Sequence, residues 1–565
     1  MKKSGWLLLS LMLVLSMFLA ACNNGGDSTE PANNEDNNSQ EPVDGGDLIF
    51  ASAGEPTLFN PFYSSDTVSS NVEGLVYSGL VTSDLEFNPV WGEGTGALAE
   101  DVQQSEDGLT YTVKIRDGVT FHDGEPLTAD DVVFTYNIPL NEAYDGPRKS
   151  SFTSIVTVEK VDDLTVKFTL KQKDAQFLPT ALSYGILPEH ILKDVPVAEL
   201  GEYTEFNSKP IGSGPFVFSE WKDGEYVKAT AYEDYYEGRP HLDSVTMKIV
   251  GDQNAALNEL QAGTANYFDA VPPADVSTVE TWLDGVGLKM ESGLALSYTF
   301  LSFNMDMSKG TPKDVGPELT NLFKQKEFRQ AITHAIDRDA IVENIMDGRG
   351  EVAHTPDSPL SWAYNPDVPK FEYDPELAGE MLDDLGWTVG SDGIREKNGE
   401  KLSFTVSTNQ GNQVREDIVV LLQNQLKEIG IDAQPNIKEF SALIADLDPD
   451  VWNFEAMVLG WSLSTDPNPA DIFHSREIAQ GLNFTHYSNP ELDTLMDQQL
   501  QELDKDKRKD IIGEIEAGLA EDQAYTFLYY PEEYRAMPAN LQGYEFHAKD
   551  PLYNIFKWWF APEGN

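Results

Sequence analysis

A single cysteine, Cys22, stands in this chain of 565 residues. No disulfide can form within the chain, so whatever it folds into is held by packing alone. The position of that cysteine constrains the chain further. Lys2 and Lys3 precede an apolar run from Trp6 to Ala21, and Cys22 comes directly after Leu19-Ala20-Ala21. A basic start, a short apolar stretch and small residues at its end are the physical layout of a secretory signal. The run is shorter than the ~20 residues that cross a bilayer. The residues beyond Cys22 are polar and supply no positive stop-transfer flank.

Leu-Ala-Ala-Cys resembles the lipobox of bacterial lipoproteins. That resemblance implies that residues 1–21 leave as a signal peptide and that the Cys22 thiol carries a diacylglyceryl group. Two or more acyl chains hold a protein firmly to a membrane, so the expected location is the extracytoplasmic face of the cell membrane, lipid-anchored through Cys22. The stretch 23–46 lacks Lys, Arg and aromatic residues. It cannot bury enough apolar surface to order itself, and as a coil it spans roughly 25–30 Å. Residues 22–46 therefore read as a lipidated tether beneath a folded body that starts near Asp47.

Acids outnumber bases 95 to 39, a formal net charge of −56. Such a surface repels nucleic acid and anionic lipid. The acids are scattered along the whole chain, which fits solvation of an exposed protein better than a focused field for cations. Strand and helix signals mix throughout. Tyr111, Val113 and Ile115 alternate with polar neighbours, a half-buried strand. Thr128 reads as a helix N-cap with Asp131 at its third position. Apolar residues from Val414 to Ile429 keep a helical period that Gly430 stops. Pro490–Asp522 reads as helical and highly charged, and Tyr525–Tyr530 as strand. The pattern is α/β, without short repeats.

Catalytic constellations are missing from the sequence. None of the eight histidines forms a metal-binding pair, and there is no CxxC or P-loop. Gly92–Gly96 lacks the dinucleotide-binding register and reads as a loop. Gly212-Ser213-Gly214 is not a nucleophile elbow. No catalytic residue, metal or cofactor is expected.

Three stretches carry a resemblance. Asp107–Val132 (DGLTYTVKIRDGVTFHDGEPLTADDV) is similar to the signature block of the family 5 extracellular solute-binding proteins, the oligopeptide and dipeptide receptors of ABC importers. Pro210–Phe216 (PIGSGPF) followed by Tyr235–Pro240 (YYEGRP), and then Phe328–Arg338 (FRQAITHAIDR), resemble further blocks in family order. The resemblance implies a periplasmic-binding-protein-like bilobal α/β fold (type II, cluster C) with an extra subdomain in lobe one. Lobe one would be 47–82, 205–292 and 523–565, the insertion 83–204, and lobe two 293–522. It also implies an oligopeptide ligand swallowed between closing lobes, and separate permease and ATPase subunits of an ABC importer. The receptor itself is expected to be a monomer.

The resemblance also implies the ligand-binding residues. Gly460–Pro467 (GWSLSTDP) resembles the family's cleft loop and nominates Gly460, Trp461, Ser462, Ser464 and Asp466. In well-known oligopeptide receptors an Asp three residues after the Trp pairs with the peptide α-ammonium. Ser464 stands at that position here, so either Asp466 takes over or no charge fixes the amine. Glu55, Pro56 and Leu58 match the family's segment lining the cleft floor, and Asn304 offers a polar group at the start of lobe two. Structural readings compete: Trp461 as a hinge-packing aromatic, Asp466 as an Asx-Pro turn, and Glu55–Leu58 as a plain turn. Other cargoes on the same fold are an oligosaccharide or a nickel chelate. A lipoprotein hydrolase or adhesin is the remote alternative.

Overall fold

The computed structural model describes residues 41–308, 315–448, 451–478 and 482–562. The signal segment, Cys22 and the tether up to residue 40 lie outside the described residues. No helix among the described residues is long and apolar enough to cross a membrane.

Lobe one opens with β1 (Asp47–Ser52), which buries Leu48 and Phe50 on alternate positions. Helix α1 (Thr67–Val76) starts at Asp66, whose carboxylate accepts the Ser69 N–H at 2.7 Å and satisfies a free donor of the first turn. The inserted subdomain comes next, with β2 (Ala99–Gln104), β3 (Thr110–Ile115), α2 (Ala129–Leu140), β4 (Ile155–Asp162) and β5 (Thr165–Leu170). Its strands form one antiparallel sheet in the order β2-β3-β5-β4. Tyr111, Val113 and Ile115 face its core as their alternation predicts, and Thr128 caps α2 in a full capping box with Asp131. The chain then completes lobe one with β6 (Phe216–Lys222), β7 (Tyr226–Ala231) and β8 (Ser244–Ile249), giving the order β1-β8-β7-β6 with β1 parallel to β8.

Two of the family-like blocks are packing devices. The Gly214 N–H donates to Val76 O at 2.8 Å, at the end of α1. A Cβ on Gly214 would lie 2.6 Å from Leu75 O, and one on Gly212 would collide with Val76 O. Only glycine lets the segment approach that closely. The glycine-rich loop 92–96 forms a nest for an internal carboxylate. The Gly94 N–H donates to Glu237 at 2.9 Å, and Arg116 reaches the same carboxylate at 2.8 Å. The loop thereby ties the signature block to Tyr235–Pro240.

A third strand pair leads out of lobe one. Strand β9 (Leu288–Leu294) belongs to lobe one and β10 (Ser297–Phe303) to lobe two. Lobe two continues with α3 (Lys326–His334), β11 (Gly350–Val352), β12 (Ser403–Asn409), α4 (Gln413–Glu428), β13 (Asp432–Lys438), α5 (Phe440–Ala445), β14 (Ala456–Ser462), α6 (Ala470–Phe473), α7 (Pro490–Gln499) and α8 (Lys505–Asp522). The long strand β15 (Thr526–Pro538) closes the circuit. The sheet order is β9-β15-β10-β14-β12-β13, with β11 also on β15. The stretch expected as one helix from Pro490 to Asp522 is two, because Asp504 starts a new one by accepting the Lys507 N–H at 3.2 Å.

The block Phe328–Arg338 is also structural. Arg329 donates to Phe323 O, Asp522 O and Gln523 O, closing the end of α8. Arg338 donates to Ala353 O, Phe527 O and Phe371 O. Burial pushes both guanidinium groups down to about 10, and the ring of carbonyls compensates for their lost water.

Strand β15 is the second crossing between lobes. Its first half pairs with β10 and β11 of lobe two, and from Glu532 onward it pairs with β9 of lobe one. The sequence reading gives residues 523–565 to lobe one, but Thr526–Tyr530 sit in the lobe-two sheet and the chain leaves it at Pro531. Local strand propensity marks the strand; only its partners show where it changes lobe. The Ala295 N–H donates to Pro531 O at 2.8 Å, so the two crossings lie side by side as a hinge.

Candidate functional site

The register of the lobe-two sheet decides which of its edges faces lobe one. Ser297, just past the hinge, lies opposite Ser462 at the end of β14, and the Leu463 N–H donates to Leu296 O at 2.8 Å. Strands β12 and β13 run parallel to each other, and β12 runs parallel to β14. All three therefore end at the hinge side. Ligands of open α/β sheets bind outside the carboxyl ends of such strands. The segments after these ends are the start of α4, the short helix α5 and the loop from Gly460 to Pro469.

That loop carries most of the expected residues. Trp461 stacks on Phe300 at 6.4 Å and 13°, and Phe300 stacks on Tyr525 at 4.1 Å and 8°. The indole is thus fixed by the core on one side. It also lines a cavity of about 240 Å³ with Ser462, Leu463, Ser464 and Asp466. Packing and lining are both properties of this one residue. Ser462 is exposed, and its Oγ accepts from Lys549 Nζ at 3.1 Å, a contact that reaches across from lobe one. A Cβ on Gly460 would lie 2.6 Å from Arg415 Nη2, so the glycine keeps room for that guanidinium.

Asp466 is not a free carboxylate. It is 5 % exposed, and Arg508, equally buried, donates to both of its oxygens at 2.6 and 2.7 Å. Arg508 Nε also donates to Gln499 at 2.9 Å. The side chain expected to offer an unpaired charge after Trp461 already holds an internal partner, so its place is in the cavity wall. Asn304 departs further from expectation. It is 0 % exposed. Its amide donates to Phe454 O at 3.1 Å, while its oxygen accepts the Asp306 N–H at 3.2 Å and faces His486 Nδ1 at 3.0 Å. Asn304, just past the end of β10, is a buried brace of lobe two. Glu55 is exposed in lobe one and accepts the Gly224 N–H at 2.8 Å; Pro56 is buried and Leu58 half-buried. None of these three residues lines the cavity beside Trp461.

The cavity brings in residues that the sequence reading missed. Asp357, Asp471 and Glu516 line it with Asp466. Glu516 accepts from Thr355 Oγ1 at 2.7 Å and from the Asn365 N–H at 2.8 Å. Burial pushes the Asp357 and Glu516 carboxyls above the ordinary carboxylate range; the neighbouring Asp357 raises Glu516 further, and the charge of Asp466 raises Asp357. Burial likewise pushes Asp471 up to about 6. Leu463, Ile472, Phe473 and Ile512 add apolar surface to the lining. A signal for Arg508 and Glu516 was present. Both lie on the face of α8 that also buries Ile512, Ile515 and Leu519, and charges on an apolar helix face call for a partner.

At the other strand ends the surface differs. Ile437, Phe440 and Ile444 are 43, 52 and 43 % exposed, an apolar rim at the end of β13. Arg415, in the first turn of α4, donates to Asn409 Oδ1 at 3.0 Å. Among the described residues no group of three or more His, Cys, Asp or Glu is placed to hold a metal ion.

The comparisons agree with this architecture. The profile of bacterial extracellular solute-binding proteins, family 5 (middle region), matches residues 93–477. The chain is 48 % identical to the oligopeptide-binding protein AppA of Bacillus subtilis over 565 residues, covering 99 % of each chain. The structure of AppA in complex with a nonapeptide superposes with a TM-score of 0.78 at 49 % identity, covering 92 % of this chain and 100 % of that one. NikZ of Campylobacter jejuni, in complex with Ni(L-His), superposes with a TM-score of 0.77 at 26 % identity, covering 90 % of this chain and 99 % of that one. Blocks in family order, a hinge of two adjacent crossings and an end-to-end match converge: this chain belongs to the family 5 bacterial extracellular solute-binding proteins.

Proposed function

We propose that this chain is an oligopeptide receptor, held to the outer face of the cell membrane by lipid on Cys22, that closes its lobes over a peptide and delivers it to the permease of an ABC importer. The observation that carries the reading is the similarity, along nearly the whole chain, to a receptor whose structure holds a nonapeptide. The site supports it in kind. Ser462 and Ser464 offer hydroxyls at the cavity mouth, Trp461 offers an apolar face, and Ile437, Phe440 and Ile444 offer a rim for side chains. In this reading the cavity beside Trp461 would serve as one compartment for the peptide. Asp357, Asp471 and Glu516 bring proton-holding carboxyl groups into a lining that also contains Leu463, Ile472 and Ile512, which suits a polar group on an apolar stem. Closure would exclude water and strengthen each polar contact. Gly460, Trp461, Ser462, Ser464 and Asp466 form the lobe-two wall in this reading, and Glu55, Pro56 and Leu58 belong to the facing lobe.

Mass spectrometry of ligand released from the purified chain tests it. Peptides of mixed sequence within a narrow range of length are expected. A single oligosaccharide mass, or a nickel chelate, would replace the peptide reading.

A further inference from the structure

Arg415 differs from the other arginines of the chain in the kind of partner it has. Of the rest, some pair with carboxylates, as Arg116, Arg395 and Arg508 do. Arg329 and Arg338 are satisfied by backbone carbonyls, and Arg148 donates to Ser64 O. Arg415 makes one side-chain hydrogen bond, to Asn409, and has no carboxylate or backbone carbonyl partner among the described residues. Its Nε is buried without a partner, as are those of Arg148, Arg349 and Arg535, but each of these three also donates to a backbone carbonyl or a carboxylate and Arg415 does not. This happens in a chain with 95 acids, where a nearby carboxylate is easy to supply.

The surroundings repeat the pattern. Thr299 and the Gly460 backbone lie beside the guanidinium, and Tyr529 is close enough to feel its charge. None of these groups is an acid. The two acids of the same helical turn are occupied elsewhere: Glu416 accepts from the Gly411 N–H and Asp417 from Gln413 Nε2. The group is half-buried at the hinge-side strand ends, next to the loop of Trp461. An unpaired, partly desolvated guanidinium is costly unless an anion completes it.

We propose that Arg415 is a specificity residue that takes a carboxylate of the bound peptide. The carboxylate is either the α-carboxylate of a ligand that ends there or the side chain of an Asp or Glu within a longer one. This inference rests on the peptide reading above and adds a charge preference to it. The cavity lined by Asp357, Asp466, Asp471 and Glu516 lies at the Trp461–Asp466 part of the loop, and Arg415 lies beside Gly460 at its start.

Calorimetric titration of the ligand-stripped chain with synthetic peptides tests it. One arm compares Ala/Ser/Gly peptides of four to nine residues as free acids and as C-terminal amides. The other scans Glu against Gln through a nonapeptide amide. The unaltered chain should prefer the carboxylate form by about 10- to 100-fold in one arm, and the arm identifies its source. Arg415→Gln should erase that preference while neutral amides bind as before, and Arg415→Lys should keep part of it. Binding of the neutral amides also reports that the variants fold. Equal affinity of the unaltered chain for both forms in both arms would overturn the inference and leave the peptide reading intact. So would equal loss of acids and amides in Arg415→Gln. Failure of every peptide to bind the unaltered chain would overturn both.

Discussion

Asp466 and Arg508 show what a buried pair does at a binding surface. Each is desolvated, and the bidentate geometry balances their charges. Removing one partner leaves the other charged and buried, so Asp466→Asn should cost about 3–5 kcal/mol, read as a fall in the midpoint of thermal unfolding. Free and N-acetylated peptides should then lose affinity alike. A selective loss for free amines would make Asp466 an amine anchor despite its internal partner. A second consequence concerns protons. Asp357 and Glu516 hold protons more tightly in the folded chain than in the unfolded one, where carboxyls titrate near pH 4. Between that value and the raised folded ones, the folded state binds more protons. Stability contributed by the pair is therefore present at low pH and lost as pH rises toward and through neutrality. Asp357→Asn should flatten the decline in melting temperature between pH 5 and pH 8. An unchanged decline would place the titration elsewhere.

At the scale of elements, the blocks that carry the family resemblance turn out to build the scaffold. Gly212 and Gly214 let a loop touch the end of α1, and Arg329 closes the end of α8. Gly212→Ala should destabilise the chain by about 1–3 kcal/mol through overpacking against the Val76 carbonyl, without changing ligand preference; chemical denaturation beside peptide titration checks both. The local elements were legible in the sequence because their signals are local. Tyr111, Val113 and Ile115 keep a period of two, Thr128 and Asp131 sit at capping distance, and Gly430 ends the α4 pattern with a φ of +84°. The Gly460–Pro467 loop was legible as a cleft segment through its resemblance. What Asp466 does there was not, because Arg508 lies 42 residues away and no local pattern announces the pair. Asn304 misled for the same reason: a polar residue at a strand end reads as available until its partners at Phe454 and His486 are seen. Arg415 was invisible for the opposite reason, since the missing partner is the signal.

At the scale of the molecule, the proposed closure needs a hinge. Two strand crossings, at Ala295 and Pro531, join lobes that each have a core of their own. Among the described residues, polar contacts between the lobes include Lys549 to Ser462 and the Ala175 N–H to Leu500 O at 2.9 Å, bonds that water can replace when such lobes part. Lys549→Ala should weaken all peptides alike by about two- to tenfold, in contrast to the selective effect expected at Arg415. Small-angle X-ray scattering of the ligand-stripped chain, before and after adding a nonapeptide that is recovered intact, tests lobe closure most directly. A smaller radius of gyration with the peptide bound is the predicted result. A peptide that binds without any change in dimensions, or emerges cleaved, would contradict the account.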